Sequence, residues 1–186
     1  MVLDTLLEKG LTAFGKVQFQ MRPPKVTAVD IRAIAYKAKS GMVICRKYNY
    51  YLDSYFIPGE YTHSGILETD KTVIHAIAAG VERIDIIDFI KDADGFCLLD
   101  VDELLYYNRG KSTFYAITQL GKPYDFKFDG VSVTAFFCHE LTAKCLEEGG
   151  IKIPPMLKSI GPLTREIYTA DQFISDKRIK KVYECN

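Results

Sequence analysis

The nine residues Ile57–Gly65 read IPGEYTHSG and lead directly into the apolar pair Ile66-Leu67. Pro58 and Gly59 are typical of a loop, whereas the residues that follow His63 have the apolar character of a strand. His63 therefore stands where a loop becomes a strand, so its imidazole can face a cleft while its neighbours hold a sheet. The stretch predicts both the entry to a sheet and a functional histidine.

A second histidine, His75, follows on the next apolar segment. Residues 63–67 and 73–78 both have the character of strands, and residues 69–71, Thr-Asp-Lys, are typical of a turn between them. Opposed residues on antiparallel strands can have Cβ atoms about 5 Å apart. We expect His63 and His75 on neighbouring strands. Their contact is a hypothesis, because the sequence does not reveal the register.

The third histidine, His139, directly follows Cys138 at the start of a predicted helix that ends at Gly149-Gly150. A helix N-terminus presents free backbone N–H groups and a partial positive charge. A cysteine in that place is biased toward the thiolate, which is its reactive form. Taken alone, Cys138 is more simply explained as one more buried cysteine. Its position at a helix start and the scarcity of histidine favour a catalytic role.

Cys138, His63 and His75 together are the parts of a thiol nucleophile with its base. In this hypothesis His63 accepts the thiol proton, or pairs with the thiolate as an imidazolium, and later protonates the leaving group. His75 bonds the far nitrogen of His63 and fixes its tautomer. The amides at the helix start hold the oxyanion that forms when a carbonyl is attacked. These residues predict a cysteine hydrolase or acyltransferase.

The composition predicts one globular domain. The chain has 186 residues, which is long enough to bury a real core, and its 24 basic residues balance 24 acidic ones. That balance gives no indication of nucleic acid binding, and the basic run at residues 177–181 is short enough to be a solvated face. The five cysteines are odd in number and lack CxxC spacing, so neither a disulfide framework nor a zinc site is predicted.

The ends and apolar runs of the chain bear on its location. The N-terminus lacks the basic region and long apolar core of a signal peptide. No apolar run approaches the roughly 20 residues of a membrane helix. A cytoplasmic protein with reduced thiols is the expectation.

The chain divides at a pair of prolines, Pro23-Pro24. Residues 2–20 have apolar side chains at helical spacing, so residues 1–26 are predicted as an amphipathic helix and its linker. Residues 27–186 are predicted as the main domain. Thr27 is its first predicted N-cap, with Asp30 at the third helical position.

Short helices and strands follow through the main domain. Ser112 is the predicted start of a helix that ends near Leu120, and residues 154–162 are predicted as a loop. The tyrosine-rich residues 46–62 either line a substrate groove or form a packed loop edge. The remaining predicted strands cover residues 42–45, 80–84, 96–101 and 181–183, and the remaining short helices cover 86–90 and 169–173.

Four segments in this order resemble those of the permuted papain-like cysteine hydrolases, the YiiX/YebB-like branch of the NlpC-type peptidases. Residues 57–66 resemble the segment with the catalytic histidine, and residues 73–81 resemble the segment with the third polar residue. Residues 121–125, Gly-Lys-Pro-Tyr-Asp, resemble the segment before the nucleophile. Residues 137–141, Phe-Cys-His-Glu-Leu, resemble the nucleophile segment itself. The histidine precedes the cysteine, which is the reverse of the order in papain.

The resemblance covers roughly residues 30–184 and implies an α+β, circularly permuted papain-like (NlpC-type) fold. An antiparallel sheet would pack against the nucleophile-bearing helix, with extra N-terminal helices. The chemistry implied is attack of Cys138 on an amide or ester bond through a thioester, without a cofactor. Tyr61 and Tyr124 of the matching segments are the predicted substrate-binding residues. The substrates implied are peptides, cell-wall peptides, other small molecules, or lipid and acyl conjugates, and the oligomeric state is left open.

Two departures from the family pattern support a competing hypothesis. His75 stands where the family often has Glu, and His139 stands where Ser usually follows the nucleophile. The His139 side chain either reaches the mouth of the cleft or is exposed to solvent, and we expect the second. The competing hypothesis is an inactive papain-like module kept for binding or structure in a viral or bacterial assembly. The presence of both Cys138 and His63 favours the enzyme, because a binding module has no need of that pair.

Overall fold

A computed structural model describes residues 25–48, 57–102, 107–128, 134–160 and 163–185. The helix predicted over residues 2–20 lies outside these ranges, as does the middle of the tyrosine-rich loop, so the proposed division at residue 26 stays a prediction. The described helices are α1 (Ala28–Lys37), α2 (Ile86–Ile90), α3 (Arg109–Thr118), α4 (Cys138–Glu148) and α5 (Ala170–Ser175). The described strands are β1 (Val43–Lys47), β2 (His63–Leu67), β3 (Thr72–Ile77), β4 (Gly80–Asp85), β5 (Gly95–Val101), β6 (Met156–Ile160), β7 (Leu163–Ile167) and β8 (Ile179–Cys185).

Six strands form one antiparallel sheet in the order β4-β3-β2-β1-β5-β8. Strands β2, β3 and β4 form a meander, as the sequence predicts, and β2 lies near the middle of the sheet. Strands β6 and β7 pair with each other in a separate antiparallel hairpin. The predicted α+β class with an antiparallel sheet is confirmed. Every helix within the described ranges is too short or too polar to span a membrane.

Helices cover both faces of the sheet, because the side chains of each strand alternate between two cores. The first core lies between the sheet and helices α3 and α4, and the second lies between the sheet and helices α1 and α2. The strands contribute Val43, Cys45, Ile66, Ile74, Cys97 and Leu99 to the first core and Ile44, Leu67, Val73, Phe96 and Leu98 to the second. Burying one such aliphatic side chain contributes about 1.5–3 kcal/mol. The nucleophile-bearing helix thus packs on the sheet as predicted.

N-cap residues in the sequence indicate where most of the helices begin. Thr27 caps α1 in a reciprocal capping box with Asp30, as predicted, and the Asp85 side chain caps α2. Helix α3 corrects a prediction, because it starts at the cap Asn108 and not at Ser112. The Asn108 side chain accepts from the amide of Lys111 at 2.9 Å, whereas Ser112 is buried within the helix.

The hairpin of β6 and β7 corrects the loop predicted over residues 154–162. Both strands are short and mix charged with apolar residues, so neither shows the alternation that marks a half-buried strand. Leu157 is 70% exposed, so the hairpin buries little on that strand. Its stability comes from backbone pairing, which the residue pattern does not reveal.

Gly65 permits the close approach of β2 and β3. A Cβ built on Gly65 would lie 2.6 Å from Val73 Cγ1 and 2.9 Å from the Ile74 carbonyl oxygen. Gly65 also pairs directly with His75 in the ladder. A side chain at position 65 must therefore push the two strands apart beneath the histidines.

We predict that Gly65→Ala lowers the free energy of unfolding by about 1–3 kcal/mol, because backbone atoms must shift to admit the methyl group. Urea denaturation measures the effect. Gly110→Ala is the matched control, because position 110 lies within α3 and a Cβ there meets only Asn108 Oδ1 at 3.3 Å. A glycine-to-alanine change in a helix is neutral or stabilising. Equal stability of the Gly65→Ala variant and the wild type would contradict the prediction.

Candidate active site

The two strand histidines are in contact, which confirms the contact hypothesis. His63 Nε2 lies 2.8 Å from His75 Nδ1, and the two rings meet edge to face with centroids 5.1 Å apart. Strands β2 and β3 are antiparallel, and Gly65 is the residue directly opposite His75. The histidines are therefore diagonal neighbours on one face of the sheet, within the reach of long side chains.

Glu82 on β4 favours one direction of this hydrogen bond, although His75 Nε2 itself has no hydrogen-bond partner within the described residues. Its Oε1 lies 3.4 Å from His75 Nε2, which is too long for a strong hydrogen bond but close enough for the carboxylate to favour a proton on that nitrogen. A neutral imidazole carries one N–H, so His75 Nδ1 is then an acceptor. It accepts from His63 Nε2–H, which leaves the lone pair of His63 on Nδ1. His63 is thereby set up as a base through Nδ1.

The pocket around the two rings keeps them neutral. Phe89 of α2 packs against both, with centroids 5.5 Å from His63 and 5.3 Å from His75. Burial and the Arg46 guanidinium lower the pKa of His75 from 6.5 to about 3. Burial, Arg46 and the two other histidines hold the pKa of His63 well below its usual value of 6.5. A neutral His63 has a lone pair that can accept a proton and is not a preformed imidazolium, but its lowered pKa makes it a weaker base than an ordinary imidazole.

Cys138 is the first residue of α4. Its Sγ lies 3.9 Å from the carbonyl oxygen of Thr62, the residue before His63. The N-cap of α4 is Phe137, which makes no side-chain hydrogen bond to the first turn, whereas Thr27, Asp85 and Asn108 cap their helices with side-chain oxygens. The first amides of α4 therefore make no hydrogen bond to the side chain of their N-cap residue, and a helix N-terminus favours a negatively charged group.

A cleft beside Cys138 is mostly apolar. Only 2% of the Cys138 surface is exposed, so a substrate must reach the thiol through this cleft. The walls are formed by Ile57, Pro58, Phe128, Phe137, Ile167 and Tyr168, with Cys138 and His139 as the remaining lining residues. Such walls suit an apolar group next to a reactive thiol.

The structure brings His63 and His75 together but leaves Cys138 out of hydrogen-bond contact with both, as far as the described residues go. Alternation along β2 directs Ser64 toward α4 and directs His63 toward Phe89 of α2. Within the described residues, the Cys138 thiol contacts the carbonyl oxygen of Thr62. The His63 ring thus lies on the face of the sheet opposite α4, so direct proton transfer requires the Cys138 side chain to leave that carbonyl and the His63 ring, at the first residue of β2, to turn toward it.

The predicted substrate-binding tyrosines lie in different surroundings. Tyr61 is fully buried in the first core and donates its hydroxyl to Glu184 at 2.8 Å. A side chain without exposed surface does not contact a substrate in this conformation, so the prediction for Tyr61 is corrected to a core position. Tyr124 is partly buried and contacts Phe128, with centroids 6.1 Å apart. Because Phe128 lines the cleft, substrate contact at Tyr124 stays a prediction.

His139 is buried, with 1% of its surface exposed, which corrects the expectation of solvent exposure. Its Nδ1 lies 2.8 Å from Ser64 Oγ, which also lies 2.9 Å from Thr142 Oγ1. Ser64 and Thr142 were not singled out in the sequence. The spacing of Thr142, four residues after Cys138 on one helix face, was a usable signal for it.

The chain matches the model of a family described as permuted papain-like amidase enzymes, the YaeF/YiiX, C92 family, over residues 37–183. It belongs to this family. Membership makes the protein a hydrolase of the papain-like amidase class, in accordance with the resemblance in its sequence. The histidine segment precedes the cysteine segment, as a permuted papain-like chain requires. A search among curated proteins found no significant match.

The fold of this C92 family member also matches a solved structure. The YiiX protein of Escherichia coli O157:H7, described as a metalloprotein, superposes with a TM-score of 0.64 at 17% sequence identity. The match covers 79% of this chain and 97% of the YiiX chain. At this identity the likeness shows the permuted papain-like fold alone. Within the described ranges of the present chain, no group of three or more His, Cys, Asp or Glu side chains is arranged to hold a metal ion.

The buried histidines predict that stability falls as the pH falls below about 6.5. The unfolded chain takes up protons near the usual histidine pKa of 6.5, whereas His75 and His139 in the folded chain take them up only near pH 3. The stability they contribute is therefore complete above pH 6.5 and lost toward pH 3. Each such proton contributes a slope of about 1.4 kcal/mol per pH unit.

Urea denaturation between pH 7 and pH 5, above the usual range of carboxyl titration, measures this slope. We expect His139→Asn to show a slope that is smaller by about one proton, because the variant loses one of the three buried imidazoles. A wild-type stability that does not change over this range would show that the folded histidines are not kept neutral.

Proposed function

We propose that the protein is a cysteine amidase in which Cys138 is the nucleophile, His63 is the general base and His75 orients His63. The observation that carries the proposal is the position of Cys138, which is the first residue of α4 and lines an apolar cleft. The His63–His75 pair supports it, because its tautomers leave a basic lone pair on His63 Nδ1. Membership of an amidase family agrees with this chemistry.

In this proposal the His63 ring and the Cys138 side chain first turn toward each other, and the Cys138 proton then passes to His63 Nδ1. The Sγ then forms a bond to the carbonyl carbon of the substrate, and the electron pair of the C=O bond moves to oxygen. The amides in the first turn of α4 stabilise that oxyanion. When the C–N bond breaks, the imidazolium of His63 gives its proton to the leaving nitrogen. The products of this half are a free amine and a thioester on Cys138.

A second nucleophile resolves the thioester. Water attacks the thioester carbon while His63 removes one of its protons, the C–S bond breaks, and Cys138 is restored together with a free carboxylic acid. An amine or alcohol in place of water gives acyl transfer by the same steps. The two outcomes differ only in the acceptor, so both the hydrolase and the acyltransferase follow from one nucleophile.

The lining of the cleft favours a substrate whose acyl part is apolar. Six of its eight lining residues are aliphatic, aromatic or proline. We infer that an apolar acyl group suits the walls of this cleft better than a charged cell-wall peptide, because a charged group there would lose its hydration without a partner.

Cysteine alkylation tests the nucleophile. We predict that Cys138 reacts with iodoacetamide faster than the other cysteines and stays reactive below the usual thiol pKa of about 8.5, and that His63→Ala slows the reaction near neutral pH. Mass spectrometry of the peptides measures the rate at each site. Cys185 is the internal control, because burial and Asp30 raise its pKa to about 11.

A Cys138 that reacts no faster than Cys185, or a His63→Ala variant with an unchanged rate, would show that the pair is not assembled. The competing hypothesis of an inactive binding module would then be preferred.

The selectivity for the acyl group tests whether the cleft binds that part of the substrate. For amides that share one leaving group, we predict that Ile57→Asp reduces the preference for a long acyl chain over acetyl by roughly tenfold in kcat/KM, because the carboxylate opposes an apolar group. Ile87→Asp is the matched control, since Ile87 is 45% exposed on α2 and does not line the cleft. The same loss of preference in both variants would show that the cleft does not determine the preference for a long acyl chain.

A further inference from the structure

A second polar chain lies between β2 and α4, on the face of the sheet opposite the His63–His75 pair. It runs from His139 Nδ1 to Ser64 Oγ at 2.8 Å, from Ser64 Oγ to Thr142 Oγ1 at 2.9 Å, and from Thr142 Oγ1 to the carbonyl oxygen of Cys138 at 3.1 Å. All four residues are buried. The mechanism above uses none of these three side chains.

The hydrogen bonds of this chain have one consistent direction. Thr142 donates its only hydroxyl proton to the Cys138 carbonyl, so its oxygen must accept from Ser64. Ser64 has then used its own proton, so its oxygen accepts from His139 Nδ1–H. His139 is therefore a neutral imidazole with its proton on Nδ1. Burial lowers the pKa of His139 from 6.5 to about 3, which agrees with a neutral ring.

The middle residue of this hydrogen-bond chain, Ser64, is next to His63 in the sequence. Ser64 is the residue after His63, and Thr62, whose carbonyl contacts Cys138 Sγ at 3.9 Å, is the residue before it. The first turn of α4 is therefore tied to both neighbours of His63. A hydroxyl or imidazole removed from this chain would leave a buried polar group unpaired and loosen the contact.

We propose that His139 is a positioning residue, which acts through Ser64 and Thr142 to hold Cys138 at a fixed place relative to His63. This inference rests on the proposed function. His139 Nε2 has no hydrogen-bond partner within the described part of the chain, so the polar role recorded for the ring is the donation by Nδ1. The role assigned is one of geometry, and His139 takes no part in bond breaking.

Paired substitutions at two positions test the proposal. Thr142→Val and His139→Leu break the chain, whereas Thr142→Ser keeps the hydroxyl and His139→Asn keeps an N–H donor near the position of Nδ1. We expect the two breaking variants to lower the alkylation rate of Cys138 at pH 7 by about 10- to 100-fold, the scale expected for a displaced reacting group. Their alkylation profiles should also move to higher pH. The two conservative variants should match the wild type.

Thr113→Val is the control for stability. Thr113 Oγ1 donates to the Arg109 carbonyl at 2.9 Å, which is the same contact between residues four apart that Thr142 makes with Cys138, but in α3. This variant should lose stability in urea and leave the alkylation profile unchanged. If Thr142→Val does not fold, Ser64→Ala breaks the same chain with the loss of one small atom.

The outcomes separate this proposal from the proposed function. A wild-type Cys138 that is activated by His63, together with breaking variants that keep the full rate and profile, overturns the positioning role alone. A wild-type Cys138 that reacts no faster than Cys185 overturns both. The ¹⁵N chemical shifts of His139 give a readout without any reaction, and a proton on Nε2 in place of Nδ1 would also overturn the proposal.

Discussion

The alternation of side chains along β2 is the constraint on which the site depends. Because successive residues of a strand point to opposite faces, His63 packs against α2 while Ser64 contacts α4. A shift of the register by one residue would exchange the two faces and separate both polar networks at once. Gly65, the next residue, lets β3 approach closely enough for His75 to reach His63. The three consecutive residues His63, Ser64 and Gly65 thus determine the position of the candidate base, its contact with His75 and the contact of β2 with α4.

The two networks differ in what they require of histidine. In the first network His63 lies at a partly exposed strand start and His75 is buried beside it, and the feature that the proposed reaction uses is the His63 lone pair that can receive a proton. His139 lies in the interior, and it contributes a single N–H that points in a fixed direction. Burial makes neutral imidazole the stable form in both cases, because charging a buried ring costs hydration. Burial therefore keeps a free lone pair on His63 in one network and a single N–H on His139 in the other.

Much of the fold follows from local signals in the sequence. The capping box at Thr27, the strand meander that carries the histidines and the helix that starts at Cys138 all depend on residues close in the chain. The burial of His139 does not follow from local signals, because it depends on Ser64, which is 75 residues away in the chain. The same holds for Tyr61, whose partner Glu184 lies 123 residues away. The face of the sheet on which each site residue lies relative to α4 also needs the packing of helices, which residue periodicity does not give.

The three neutral histidines have a consequence for the charge of the whole molecule. The chain has 24 basic and 24 acidic side chains, and these three are its only histidines. Histidine normally supplies the positive charge that a protein gains as the solution becomes mildly acidic. Here the folded protein stays close to neutral across that range, so electrostatic repulsion between molecules remains weak over a broad span of pH and not only at one isoelectric point. Its colloidal stability must come from the spread of both charge signs over the surface.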